Sequence, residues 1–158
     1  MKKFLFTVLL MASGAFAGMP RSKDSKGFIA GTNISVPSGS KAIESFNVGD
    51  QISSYDKEGN LQIAVVSTLF AIHGQTAQLS FSDGTKVTAS INQPFFRFGS
   101  NEIVEIRDMK VGDSFSKINS TQPITLTEIT VLTVQPIYNM RLRGLVNNYF
   151  VNGVKVHN

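Results

Sequence analysis

One block of this chain occurs twice. Ile43-x-x-Phe46-x-Val48-Gly49-Asp50-x-Ile52 returns 63 residues later as Ile106-x-x-Met109-x-Val111-Gly112-Asp113-x-Phe115, with the apolar positions and the closing Val-Gly-Asp at unchanged spacing. Each copy precedes a strand-rich stretch of similar length, so the chain is expected to fold as an internally duplicated unit. The glycine supplies a positive φ angle at a sharp turn into the next strand. The aspartates are expected to cap those turns and to take no part in catalysis.

From Gly27 onward the text is β-type. Short apolar or alternating runs are interrupted at Pro37-Ser38-Gly39, Lys57-Glu58-Gly59-Asn60, Ser82-Asp83-Gly84 and Asn152-Gly153, which are turn signals of the kind that join antiparallel strands. Leu79-Ser80-Phe81 and Lys86-Val87-Thr88 are expected to form one hairpin. Tyr149–Val151 and Val154–Val156 are expected to form another around Asn152-Gly153. No run shows the 3.6-residue period of an amphipathic helix, so helices should be short or absent beyond the leader. The fold class is therefore all-β.

Lys2 and Lys3, an apolar run from Phe4 to Ala12 and the small residues Ala15-Phe16-Ala17 form a signal peptide over residues 1–17, with cleavage expected after Ala17. The apolar run is shorter than the roughly 20 residues that span a bilayer, so no stable membrane anchor is expected once it is removed. Residues 18–26 are polar and aperiodic and read as a flexible lead segment. The expected product is exported, periplasmic or secreted, and monomeric. With no cysteine it has no disulfide, thiolate or lipobox.

Charge narrows the partners. Residues 1–26 hold five basic residues and one acidic residue, whereas residues 27–158 hold ten of each. The formal net charge of +4 thus lies outside the domain proper, which has no general field for phosphate backbones. No nucleic-acid partner is expected, and any partner would be a protein. Phe95-Phe96-Arg97-Phe98, which could stack bases, is expected to be core and edge packing. The two histidines, His73 and His157, are far apart in sequence and give no metal-ligand cluster; neither metal nor cofactor is expected. A hydrolase built from His73, Asp83 and a serine lacks a nucleophile-elbow pattern, and His73 reads as a solvated turn residue.

Four stretches in order carry a family resemblance: Gly27-Phe28-Ile29-Ala30-Gly31-Thr32, Lys41-Ala42-Ile43-Glu44 to Gly49-Asp50, Thr88-Ala89-Ser90-Ile91-Asn92-Gln93-Pro94-Phe95, and Ile137-Tyr138-Asn139 to Asn147-Asn148-Tyr149-Phe150 with His157-Asn158. Together they resemble the Hint domain, the self-processing module shared by inteins, bacterial intein-like proteins and the autoprocessing part of hedgehog proteins. The match covers Gly27 to Asn158. It implies a compact pseudo-twofold β domain of two related halves with long curved hairpins, and intramolecular self-cleavage as the ancestral chemistry.

Residue by residue, the resemblance implies a degenerate site. The opening residue, cysteine or serine in the family, is Gly27 here, and a residue without a side chain cannot take the acyl group. Ser25 lies two positions upstream, out of register to replace it. The family's Thr-x-x-His falls on Ser90 and Gln93; the serine still donates a hydrogen bond, but a glutamine cannot shuttle a proton. Loss of such an acid or base costs ~10²–10⁴ in rate. A further histidine of the terminal block is Asn147. His157 and Asn158 remain as an Asn-cyclisation pair, with no following residue in the sequence to expel, and are expected to be vestigial. The expected function is an inactive Hint module kept as a stable β scaffold. The alternatives are residual C-terminal autoproteolysis in a longer precursor and a secreted binding or adhesion module.

Overall fold

A computed structural model describes Phe16 and residues 25–158. The expected signal peptide, Phe16 apart, and residues 18–24 lie outside the described residues. Phe16 itself is 6% exposed and belongs to the buried apolar cluster. Among the described residues no helix is long and apolar enough to cross a membrane.

The chain runs through eleven strands: β1 (Asn33–Val36), β2 (Gly39–Ala42), β3 (Gln51–Tyr55), β4 (Leu61–Phe81), β5 (Lys86–Ser90), β6 (Pro94–Phe96), β7 (Ile103–Glu105), β8 (Ser114–Ser116), β9 (Pro123–Leu142), β10 (Asn148–Val151) and β11 (Val154–His157). One sheet has the order β2-β1-β10-β11-β6-β7. The other has β3-β4-β9-β8, with β5 also on β4. The only helical pieces among the described residues are two short 3-10 turns, Ile43–Ser45 and Ile106–Asp108. Each expected turn closes a hairpin: Val36 opposite Gly39, Tyr55 opposite Leu61, Ser80 opposite Lys86, and Val151 opposite Val154.

The repeated block folds twice into the same hydrogen-bonded turn. Phe46 N–H donates to the Ile43 carbonyl and Met109 N–H to Ile106. Asn47 N–H donates to Asp50 Oδ2 and Lys110 N–H to Asp113 Oδ2, both at 2.8 Å. Gly49 N–H and Gly112 N–H, with φ of 94° and 100°, donate to Val66 and Leu126. The loop closes when Val66 N–H returns to Asp50 and Leu126 N–H to Asp113. The aspartates are therefore caps, because each carboxylate accepts a backbone donor that the turn leaves without an internal partner. Each copy runs into a short strand, β3 or β8, that pairs antiparallel with the long strand after it, β4 or β9. The two long strands pair antiparallel with each other, and three register breaks interrupt the ladder; such bulges bend a strand pair and raise its local twist.

An aromatic spine fills the space between the sheets. Tyr149, Phe28, Phe95, Phe115 and Phe81 meet in succession, edge to face, at centroid distances of 5.8–6.4 Å. Each such pair is worth about 0.5–1.5 kcal/mol beyond its buried area. Phe28 sits in this spine because its backbone bridges Ala89 of β5 and Tyr138 of β9, and that bridge fixes the residues just before it. Phe95 and Phe96 are buried and Phe98 is exposed, so the Phe-Phe-Arg-Phe run is packing with one solvent-facing ring. Arg97 pairs with Glu102 and Asp113.

Candidate functional site

The lead segment, the turn after β5 and the end of β11 converge at one point. Gly27 lies between β5 and β9: its carbonyl accepts from Ser90 N–H at 2.9 Å, and the next residue, Phe28, exchanges two backbone bonds with Tyr138. Its φ is +144°, and a Cβ built there would stand 2.4 Å from the Tyr138 carbonyl oxygen. A side chain at this position would overlap the Tyr138 backbone, which would have to shift to admit it.

Ser90 is fully buried. Its hydroxyl donates to the Ser25 carbonyl and accepts from Asn92 N–H at 3.2 Å. The hydroxyl thus binds the carbonyl of the Ser25–Lys26 amide, one bond upstream of the Lys26–Gly27 bond. Asn92 holds the same residue from the other side, its Nδ2 donating to Ser25 Oγ at 2.7 Å. Ser25, set aside from the sequence as out of register, is the residue that Ser90 and Asn92 hold.

Gln93 is 1% exposed and faces the other terminus. Its Nε2 donates to the Pro94 carbonyl at 3.0 Å and to the His157 carbonyl at 3.1 Å. The His157 ring lies 5.3 Å from Phe96, and its buried Nδ1 has no hydrogen-bond partner among the described residues. Burial, reinforced by the nearby Lys26 charge, holds the imidazole below its ordinary proton affinity, so it is neutral at pH 7. Asn158 N–H donates to the Asn147 carbonyl at 2.7 Å, while its side-chain Nδ2 reaches only 3.5 Å from Val146 O. Asn158 lines a cleft with Lys26, Phe70, Ile72 and Arg141.

Gly27, Ser90, Gln93, His157 and Asn158 are thus gathered in one region, and Asn147, though exposed, joins it through its carbonyl on Asn158 N–H. Sequence reasoning missed Asn92 and Asn148. Asn148 is buried and joins β10 to β3, its Oδ1 accepting from Tyr55 N–H and Ser54 Oγ and its Nδ2 donating to Tyr55 O. Both sit beside motif residues, and a buried asparagine needs several partners, but nothing local in the sequence names those partners. His73 is exposed in the middle of β4, opposite Pro136. It is therefore a strand residue, not the turn residue expected. Among the described residues no three His, Asp or Glu side chains group to hold a metal ion.

Neither protein-family models nor curated proteins match the chain. Solved structures do. The bacterial intein-like domain from Clostridium thermocellum superposes with a TM-score of 0.76 at 23% identity, covering 84% of this chain and 99% of that one. The gp41-1 intein gives 0.72 at 18% identity, covering 84% and 98%. Variant M86 of the Ssp DnaB mini-intein gives 0.73 at 17%, covering 87% and 96%. With its two repeated turns, paired long strands and converging termini, the chain has the fold of the intein and bacterial intein-like domains.

Proposed function

We propose that this chain is an exported intein-fold module that has lost acyl transfer at its leading residue and is kept as a stable β scaffold. The observation carrying this reading is the closed space at Gly27, where Tyr138 O leaves no room for a Cβ. Without that atom there is nowhere to attach the hydroxyl or thiol that would take the acyl group. Gln93 instead of an imidazole, with both its N–H groups directed to carbonyls, removes the proton carrier as well. Export rests on the leader over residues 1–17, and the scaffold would act as a monomer offered to a protein partner.

A second reading has one observation in its favour, the neutral His157 imidazole beside Asn158. In a chain continuing past residue 158, Asn158 Nδ2 would attack its own backbone carbonyl. The bond to the next residue would break, leaving a succinimide, while the neutral His157 imidazole takes the proton released by Nδ2 and passes it to the departing amine. The two readings separate in a fusion carrying a reporter after Asn158, followed by mass spectrometry alongside an Asn158→Ala control. An intact fusion upholds the scaffold. Reporter release that the control abolishes replaces it with C-terminal self-cleavage, and cleavage before Gly27 in the unaltered chain overturns both the assignment of the opening residue and the loss of acyl transfer.

A further inference from the structure

The turn from Ser90 to Gln93 makes contacts in two directions. Toward the lead segment, Ser90 N–H and Oγ hold the carbonyls of Gly27 and Ser25, and Asn92 Nδ2 holds the Ser25 hydroxyl. Toward the C-terminus, Gln93 Nε2 holds the His157 carbonyl. We propose that Gln93 is a positioning residue for the His157-Asn158 pair and that this turn is a clasp joining the two ends of the domain by hydrogen bonds that do not titrate.

The ladder shows why the clasp is needed. On its β10 side β11 is paired along its whole length, from Asn148 opposite His157 to Val151 opposite Val154. On its β6 side the only register pair is Val156 with Phe95. Val156 is the last register pair on that side, and next to it the Gln93 amide adds a side-chain hydrogen bond to the His157 carbonyl. A primary amide nitrogen carries two N–H groups, and here one goes to Pro94 O and the other to His157 O. An imidazole nitrogen carries at most one, and a carboxylate offers none. Glutamine at 93 is therefore a change of task from proton transfer to holding a strand, and the clasp holds whether or not any cleavage survives at Asn158.

The test is backbone amide exchange, read by NMR on the full chain. Gln93→Ala is expected to lower protection at the amides of Val156 to Asn158 roughly tenfold, the size of one lost hydrogen bond, while core amides such as Leu79 and Phe115 stay unchanged. Gln93→His should lower it too, although it restores an imidazole. Gln93→Glu gives a pH profile that a merely space-filling role would not: the introduced carboxyl donates when protonated and repels both carbonyls when ionised, so protection at these amides falls as pH rises. Because that comparison is made within a single folded variant, it remains decisive if Gln93→Ala fails to fold. Ser90→Ala should loosen residues 26–28 and leave Val156 to Asn158 protected. Unchanged protection at Val156 to Asn158 in Gln93→Ala, or a flat pH profile in Gln93→Glu, would overturn the proposal; reporter release in the fusion experiment would leave it standing.

Discussion

A side chain at position 27 would place its first carbon 2.4 Å from the carbonyl oxygen of Tyr138. That relationship is set by the bridge in which Phe28 N–H donates to Tyr138 O and Tyr138 N–H returns to Phe28 O, at 2.9 and 2.7 Å. It predicts that Gly27→Ala and Gly27→Cys destabilise the fold. The φ of +144° alone costs a non-glycine residue about 1–3 kcal/mol, and the overlap adds to it. Denaturant midpoints measure the loss. The same geometry predicts that Gly27→Cys combined with Gln93→His gives no N-terminal cleavage product by mass spectrometry, because the cysteine cannot enter without displacing β9.

Asn148 should be among the costliest polar positions. It is 5% exposed, and its side chain satisfies both backbone polar groups of Tyr55. Asn148→Ala removes the acceptor of Tyr55 N–H and a donor to Tyr55 O across the junction of β10 and β3, while Ser54 Oγ keeps the Asn148 carbonyl, a loss of about 2 kcal/mol. Asn148→Asp keeps the shape but turns an acceptor toward the Tyr55 carbonyl, so it should be destabilised most where the carboxyl is ionised. Urea denaturation at neutral and acidic pH separates the two effects.

His157 gives the fold an acid-sensitive end. Its folded proton affinity lies below the ordinary value, through burial first and the Lys26 charge second, so the unfolded chain binds the proton better. The contribution is then present above the unfolded pKa, near 6.5, and is lost as pH falls through the folded value. Stability should drop on acidification from pH 7 toward 5, and His157→Gln should flatten that part of the profile. Asp50 acts at lower pH. The hydrogen bond from Lys41, with that from Asn47 N–H, depresses its carboxyl, so its contribution is present above the usual carboxylate range and disappears as pH falls through the lowered value. Thermal melts of the parent, His157→Gln and Asp50→Asn across pH 3–8 resolve the two windows.

Much of the architecture was legible because it is built from local signals. Asn152-Gly153, Ser82-Asp83-Gly84 and the two Val-Gly-Asp turns are specified within a few residues by positive φ and by side chains bonding to their own loop. Repetition of one such turn identified the two halves before any contact was known. His73 was misplaced for the converse reason. As a lone histidine it reads as a solvated turn residue, but β4 runs through Gly74 because β9 pairs with it on both sides of that residue.

The amino-acid sequence by itself determined the all-β duplicated fold, the hairpin turns and the absence of a nucleophile at Gly27. The tertiary structure decided that Gly27 has no space for one, that Ser25 is the residue resting on Ser90, and that the Gln93 amide holds the His157 carbonyl. The physical reason is range. A turn is chosen by the dihedral preferences of adjacent residues, whereas each of these contacts joins residues more than sixty positions apart, and their partners exist only once the register of β5, β9 and β11 has been set by burial of the spine from Phe28 to Phe115.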